Sequence, residues 1–321
     1  MQYELISTKL ECEIEFTNSM NRNLNITCFG EVLWDVFEDG EKIGGAPLNV
    51  AIRLISMGIN TSMISCVAQD SRGGKIINHL NTIGVNTTSI HVQSKYPTGI
   101  VKVTLNQLGS ATYDIKYPVA WDKIPLTSKM VDTVKDCDAF IYGSLASRDP
   151  KSRETLLELI TNAKYKVLDV NLRQNYYSKD LLLKLIQAAE FIKFNDDELF
   201  EIAAMMGSTY NSLEQNLNYI KSKVQATSIC VTMGKHGGLL LHKDCYYYNS
   251  GYKIAVKDTV GAGDSFLASL LVKLLSDSNP QHALDFACGI GAMVAGESGA
   301  NPIFSDTQIH TFLYGNSQGD R

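Results

Sequence analysis

An acidic residue occupies an unusual position in the stretch DTVGAGDSFLASLLVKLL, residues 258–275. Three residues with almost no side chain, Gly261, Ala262 and Gly263, come immediately before Asp264, and apolar residues at helical spacing follow. This spacing predicts a helix that begins at about Gly261 to Gly263. Small residues at a helix N-terminus let an anion approach free backbone N–H groups, and the helix dipole favours negative charge there. The turn therefore predicts a phosphate site.

A carboxylate next to a bound phosphate is repelled by it, so the position of Asp264 needs a reason. One reason is chemical: Asp264 could accept the proton of a hydroxyl that attacks phosphorus, while the N–H groups stabilise the charge on the transferred group. The alternative is an acid favoured by the first turn of a helix, where it stabilises by a few tenths to about 1 kcal/mol.

A second glycine motif, GGAPLNVAIRLISMG, spans residues 44–58. Gly44 and Gly45 lead into a helical pattern whose first turn contains Pro47, a residue suited to that position. Asn49 lies in the same turn, and its amide can both donate to and accept from a polyhydroxyl ligand. A plain strand-to-helix turn is the alternative interpretation.

Short β-rich apolar runs alternate with helical patterns along most of the chain. Strands are predicted at 25–37, 62–70, 139–145, 166–172, 191–196 and 228–234, and helical patterns include 152–163 and 179–190. The alternation predicts an α/β fold with a mostly parallel central sheet between helices. Ligands in such folds bind beyond the carboxyl ends of the strands. Unusual polar residues fall there, namely Asp35, Asn171, Arg173, Asn195, Glu198 and Thr232.

Two stretches depart from this rhythm. Residues 98–118 read as two alternating strands around NQLGS, a hairpin signal, and residues 35–45 form a second short β-like excursion. Together they predict a small antiparallel β lid. We therefore expect an N-terminal extension at 1–22, an α/β core of 23–36, 45–97 and 119–321, and a lid of 37–44 and 98–118.

Composition narrows the function classes. The chain has 321 residues and a net charge of −5 without a Lys/Arg cluster, which argues against nucleic-acid binding. No apolar run approaches the roughly 20 residues that span a bilayer, so no membrane role is expected. Seven cysteines are scattered singly, which is typical of buried thiols in a reducing compartment, and we expect a cytoplasmic protein. A dinucleotide-binding fingerprint is missing, which argues against a nicotinamide-dependent oxidoreductase.

The pair GGAPLNVA and DTVGAGDSF resembles the ribokinase-like (PfkB) carbohydrate kinase family, and the match runs from about residue 25 to about residue 302. GEVLWDVF followed closely by GGAPLNVA, and then DVNLR, is most similar to the fructokinase branch. The resemblance implies a ribokinase-like three-layer sandwich with a β lid. It also implies transfer of the ATP γ-phosphoryl group to a sugar, with the 6-hydroxyl of D-fructose as acceptor.

The same resemblance implies roles for individual residues on the sugar side. Asp264 matches the catalytic base, and Gly261, Ala262 and Gly263 match the anion hole around the transferred phosphoryl group. Asp35, Gly45 and Asn49 match the sugar site. Arg173 of DVNLR could reach either the sugar or the phosphates.

On the nucleotide side, KFNDDE resembles the family's N-x-x-E motif. It implies that Asn195 and Glu198 organise Mg²⁺ and the ATP phosphates, with Glu198 acting on the metal through water. VTMGKHG implies that Thr232, Gly234 and Gly237 lie near ATP. The family often has a K⁺ site built mostly from backbone carbonyls, which side chains neither support nor exclude. The lid often mediates dimerisation, so a homodimer is expected.

Two alternatives to a fructokinase stay open. One is a kinase for another sugar or nucleoside, such as ribose, 2-keto-3-deoxygluconate or adenosine. The other is a non-catalytic sugar- or nucleotide-binding protein on the same fold. Asp264 together with the Asn195 and Glu198 pair argues against the second, since a binder has no need of a base.

Overall fold

A computed structural model describes residues 23–38, 40–105, 111–174 and 176–315, without the side chains of 104, 105 and 111–113. The N-terminal extension at 1–22 and the hairpin turn at 106–110 lie outside the described residues.

The strands, in chain order, are β1 (Asn25–Phe29), β2 (Leu33–Phe37), β3 (Gly40–Gly44), β4 (Asn60–Ala68), β5 (Asn86–Gln93), β6 (Gly99–Leu105), β7 (Ala111–Ile115), β8 (Ala139–Gly143), β9 (Lys166–Asp169), β10 (Phe191–Asn195), β11 (Ser228–Thr232), β12 (Gly238–His242) and β13 (Cys245–Asn249). The α-helices are α1 (Ala46–Ser56), α2 (Ser71–Ile83), α3 (Ser128–Asp136), α4 (Pro150–Asn162), α5 (Lys179–Ala188), α6 (Asp196–Met205), α7 (Leu213–Lys221), α8 (Ala262–Leu275), α9 (Pro280–Ala295) and α10 (Asp306–Tyr314).

The main sheet has the strand order β13-β12-β11-β10-β9-β8-β1-β4-β5. Neighbouring strands from β11 to β5 pair in parallel, and β12 and β13 add an antiparallel hairpin at one edge. Helices cover both faces, because α1, α2, α8 and α9 share one apolar core with the sheet and α3 to α7 share the other. The predicted α/β class and mostly parallel sheet are confirmed.

Side-chain alternation along two neighbouring strands prepares a polar site. Val167 of β9 and Phe191 of β10 pack into the core that contains α8. Successive side chains of a strand point to opposite faces, so Asp169 and Lys193, two residues further along, point to the same side. Asp169 and Lys193 are also directly paired in the sheet register. A buried charge pair therefore lies beneath α8.

The small sheet has the order β3-β2-β6-β7 and supplies the expected lid. Two antiparallel pairs, β2–β3 and β6–β7, are joined by parallel pairing of β2 with β6. The run predicted as one strand over 25–37 is divided, since Gly30 has a φ of 147° and a side chain there would lie 2.7 Å from Pro47 Cγ. The small sheet therefore begins at Leu33, whereas the predicted lid begins at residue 37.

Five of the six described cysteines are buried, as expected, but Cys245 at the start of β13 is exposed. Within the described ranges, no helix is both long enough and apolar enough to cross a membrane.

A buried ion pair ties the base of the lid to the core. Arg148, which follows β8, donates from Nε to Asp122 Oδ1 at 2.7 Å and from Nη2 to the carbonyl of Lys116 at 2.6 Å. Its guanidinium carbon lies 4.1 Å from the ring centre of Trp121 and 4.6 Å from that of Tyr176. The Asp122 and Arg148 side chains are 0% and 2% exposed, so neither charge has water to replace its partner.

We predict that Asp122→Ala lowers the free energy of unfolding by about 3–5 kcal/mol, because it leaves the Arg148 charge buried without its partner. Chemical denaturation would measure the change. Glu297→Ala is the matched control, since its ion pair with Lys257 is half exposed and contributes about 1 kcal/mol or less. A loss for Asp122→Ala as small as that of the control would contradict the prediction.

Candidate active site

The turn before α8 has the backbone shape that the small residues predicted. Gly261 caps the helix with a φ of 77°, in the left-handed region that favours glycine, and α8 begins at Ala262. A Cβ atom at Gly261 would lie 2.4 Å from the carbonyl oxygen of Ala300. Conformation and crowding therefore both require glycine at this position.

This turn leaves backbone donors available. The N–H of Ala262 donates to the carbonyl of Thr259 at 3.3 Å, so that residue is committed within the turn. By contrast, the N–H groups of Gly261, Gly263 and Asp264 have no hydrogen-bond partner among the described residues. Free N–H groups at the start of a 14-residue helix form a place where an anion can bind.

Lys193 adds a positive charge to this turn. Its Nζ lies 3.6 Å from the position that a Cβ atom at Gly263 would take, and it forms a 2.8 Å ion pair with Asp169. Burial by itself would lower the pKa of this ammonium group. The carboxylates of Asp169, Glu198 and Asp264 offset burial and raise the pKa, so Lys193 is charged. Lys193 was not predicted as a site residue, although a lysine in the apolar strand FIKFN was a usable signal.

Asp264 lies in the first turn of α8, in contact with α1. Its Oδ2 accepts a 2.8 Å hydrogen bond from Nδ2 of Asn49, a contact between the two glycine motifs. Burial and the Asp169 carboxylate raise the pKa of Asp264 to about 6, against the opposing effects of Asn49 and Lys193. The group is thus ionised at neutral pH and more basic than an ordinary aspartate.

The paired glycines of the first motif make room for the Asp35 carboxylate and for the backbone at Glu31. A Cβ atom at Gly44 would lie 2.2 Å from Oδ2 of Asp35, and one at Gly45 would lie 2.4 Å from the carbonyl of Glu31. Asp35 lies in the middle of β2 in the lid, not at the end of the first strand as expected. Burial raises its pKa to about 6, opposed by Arg173 and Lys42.

Glu31 is a site residue that the sequence analysis did not single out. It is 4% exposed, and its Oε2 has no hydrogen-bond partner. Burial raises the pKa of Glu31 to about 7, with Asp264 adding to the rise and Arg173 opposing it. The acid follows Gly30 in an otherwise apolar run, and that contrast was the available signal.

Arg173 lies in the loop after β9 and is exposed. Its Nη1 donates to the carbonyl of Leu172 at 3.0 Å. Its charge lowers the pKa of Glu31, Asp35 and Asp264, so it faces the side on which these carboxyl groups cluster.

Asn195 and Glu198 form a capping box at the start of α6. Asn195 Oδ1 accepts from the N–H of Glu198, and Glu198 Oε2 accepts from the N–H of Asn195, each at 2.8 Å. Oε1 of Glu198 accepts from the N–H of Leu172, also at 2.8 Å. Helix capping alone therefore explains why Asn and Glu occupy these two positions. An ionised carboxylate can still accept further hydrogen bonds.

The remaining predicted residues lie along the neighbouring strand ends. Thr232 is paired with Asn195 in the β10–β11 register. Gly234 has a φ of 53° and open space around it. A Cβ atom at Gly237 would lie 2.0 Å from the carbonyl of Asn249, so packing alone requires this glycine. None of these three contacts Asp264.

Acidic side chains and a group of hydrogen-bond donors meet at the start of α8. Acidic groups line one side, namely Glu31 after β1, Asp35 within β2 and Asp169 at the end of β9, while free N–H groups and Lys193 lie at the centre. A cavity of about 270 Å³ lies elsewhere, against Tyr117, Arg153 and Tyr177, and none of the predicted site residues lines it. We therefore identify the site by the buried carboxylates and donors and not by cavity size. It can bring an alcohol and a phosphate together.

This fold and site define a phosphotransferase that acts on an alcohol, and comparison with known proteins gives its family. The pfkB family carbohydrate kinase pattern matches residues 13–307. The chain belongs to this family and is a sugar kinase. It is similar to the fructokinase of Salmonella typhimurium, at 24% identity over 297 residues that cover 87% of this chain and 95% of that protein.

Solved structures show the same fold. A fructokinase from Vibrio cholerae O395 with bound fructose, ADP and calcium ion has a TM-score of 0.78 at 23% identity, covering 91% of this chain and 99% of that one. An aminoimidazole riboside kinase from Salmonella enterica, complexed with aminoimidazole riboside and an ATP analog, has a TM-score of 0.75 at 22% identity, covering 90% and 99%.

We predict that Gly261→Ala destabilises the protein by about 1–3 kcal/mol, because it combines a left-handed backbone with a clash against Ala300. Gly74→Ala is the matched control, since Gly74 lies in α2 with open space around it. There the same change should stabilise by about 0.4–1 kcal/mol. Chemical denaturation should show that the free energy of unfolding falls in Gly261→Ala and rises in Gly74→Ala. Equal changes in the two variants would contradict the requirement for glycine at position 261.

Proposed function

We propose that this sugar kinase transfers the γ-phosphoryl group of ATP to the 6-hydroxyl of D-fructose, with Asp264 as the general base. The observation that carries the proposal is one half-buried turn in which an ionised, basic carboxylate adjoins unpartnered backbone N–H groups. An acid that only stabilised the helix start would not need this partly buried place beside free donors.

In the proposed step, the acceptor hydroxyl attacks the γ-phosphorus as its O–H bond breaks and Asp264 takes the proton. A new P–O bond forms, the bond to the β-phosphate oxygen breaks, and ADP leaves. The N–H groups of Gly261, Gly263 and Asp264 stabilise the charge on the transferred group, and Lys193 adds a cation beside them. Asp169 holds Lys193 at that place through its 2.8 Å ion pair.

The residues present fit Mg²⁺ held outside direct protein contact. Glu198 is 5% exposed and its carboxylate retains acceptor capacity after its two backbone contacts, which suits a water ligand of the metal. Asn195 and Thr232 adjoin it at the strand ends, with Gly234 and Gly237 in the next turn. When bound, Mg²⁺ would supply positive charge that offsets the charge of the ATP phosphates.

A neutral polyol fits the acceptor side better than an acidic sugar. Glu31, Asp35 and Asp264 bring three carboxyl groups to it, with Arg173 as the cation that acts on all three. Hydroxyl donors suit carboxylate acceptors, whereas the carboxylate of 2-keto-3-deoxygluconate would be repelled. The named fructokinases among the relatives support fructose, with Asp35, Gly45 and Asn49 as its contacts. The neighbouring riboside kinase favours a nucleoside as the second candidate.

A cytoplasmic location and a homodimer through the lid stay predictions. The K⁺ site that the family often has stays open.

We predict that Asp264→Ala lowers kcat by about 10²–10⁴-fold while ATP binding persists, since the base is lost and the N–H groups remain. Coupled ADP assays and titration calorimetry would measure the two quantities. Asp306→Ala is the control, because Asp306, like Asp264, lies in the first turn of a helix, but that helix has no buried residue. This variant should keep normal turnover. Near-normal turnover of Asp264→Ala would remove the proposed base.

A substrate panel tests the acceptor. We expect D-fructose to give the highest kcat/KM among fructose, ribose, 2-keto-3-deoxygluconate and adenosine, with ADP released in proportion to sugar phosphate. A higher kcat/KM for adenosine would favour the nucleoside alternative. Calorimetric binding of fructose without ADP release would instead indicate a non-catalytic binder.

A further inference from the structure

The segment after α9 reaches the site through Asn301. Asn301 Nδ2 donates to Asn49 Oδ1 at 2.9 Å, and Asn49 Nδ2 donates to Asp264 Oδ2 at 2.8 Å. The three side chains thus form a chain of hydrogen bonds with one direction. Asn301 lies far from both glycine motifs in sequence, and the sequence analysis gave it no role.

The segment is held firmly where it meets the two helices. Arg53, one helical turn after Asn49 on α1, donates from Nη2 to the carbonyl of Pro302 at 2.8 Å and from Nε to Ser265 Oγ at 3.0 Å. Arg53 is 4% exposed. Two parallel contacts therefore join α1 to α8, from Asn49 to Asp264 and from Arg53 to Ser265, and residues 301 and 302 engage both.

The direction of the chain matters because an amide has two different ends. Turned around, Asn49 would present Oδ1 to the Asp264 carboxylate, and two acceptors would face each other. That contact is favourable only when Asp264 is protonated, the form that cannot act as a base. Since the Nδ2 group of Asn301 can only donate, it holds the oxygen of Asn49 on its own side.

We propose that Asn301 is a positioning residue that fixes the Asn49 amide so that Asn49 donates to Asp264 and keeps it an ionised base. This inference rests on the proposed function of Asp264. Asn301 Oδ1 is buried without a partner, so the site retains an unsatisfied acceptor in this arrangement.

The pH profile is the readout that a merely structural role would not move. Several charged groups act on Asp264: Asp169 and Lys193 from the sheet, Arg173 from the loop after β9, and Glu31 from the loop after β1. Asn301→Leu leaves all of these charges unchanged, whereas Asn301→Asp adds a carboxylate to them. With the pKa of Asp264 near 6, kcat/KM of the wild type should fall as the pH drops below about 6 and level off above it.

Asn301→Leu removes the donor without adding charge, and Asn301→Asp offers Asn49 only acceptors. We expect kcat at pH 7 to fall by about 10- to 100-fold in Asn301→Asp, and by less in Asn301→Leu, because a hydrogen bond to a charged group is lost. The acid limb should move to higher pH in both. Ile303→Ala is the control in the same segment, since Ile303 is 85% exposed, and it should leave the profile unchanged.

A double-mutant cycle separates positioning from loop stability. In an Asn49→Ala background, Asn301→Leu should cause no further loss of kcat, because the amide that it orients is gone. An undiminished loss in that background, or an unmoved acid limb in Asn301→Leu, would overturn the proposal.

A measurement without turnover distinguishes this inference from the proposed function. The ¹³C carboxyl signal of Asp264, identified by its loss in Asp264→Ala, should titrate at higher pH in Asn301→Leu than in the wild type. A wild type that phosphorylates no sugar would defeat the proposed function, while an unchanged titration would defeat the role of Asn301.

Discussion

The proposed reaction brings two negative groups, the Asp264 carboxylate and the transferred phosphate, to one helical turn. In this proposal Asp264 must stay ionised to take a proton, yet the N–H groups beside it suit a phosphate that repels it. Lys193 lies against the same turn and offsets the repulsion, and the Asp169 pair fixes its ammonium group. Burial raises the pKa of Asp264 only to about 6, which leaves a basic but ionised carboxylate at neutral pH.

The fold produces this balance by simple means. Alternation along β9 and β10 turns Asp169 and Lys193 toward α8, and the parallel register sets them side by side. Packing of α1 on α8 brings Asn49 to Asp264. Glycines at 44, 45 and 261 let carboxylates and backbone approach where any side chain would collide. The elements that matter for chemistry thus converge at the carboxyl edge of the sheet, as expected for an open α/β fold.

Local patterns predicted much of this arrangement. Helix starts at Ala46 and Ala262 and the parallel sheet follow from apolar spacing and glycine placement, which act over a few residues. The contributions of Lys193, Glu31 and Asn301 depend on contacts between distant segments, which one sequence does not encode locally. The start of the small sheet at Leu33 was not predicted, because Gly30 divides an apolar run that reads as continuous. Asn195 and Glu198 also show that a family motif can coincide with an ordinary capping box.

A crystal structure with D-fructose and a non-hydrolysable ATP analogue would show whether Asp264 and the turn before α8 meet both substrates. We expect a sugar hydroxyl about 2.6–3.2 Å from the Asp264 carboxylate, with the terminal phosphate against the N–H groups of Gly261, Gly263 and Asp264. A sugar whose hydroxyls all point away from Asp264, or a terminal phosphate bound outside that turn, would contradict this expectation.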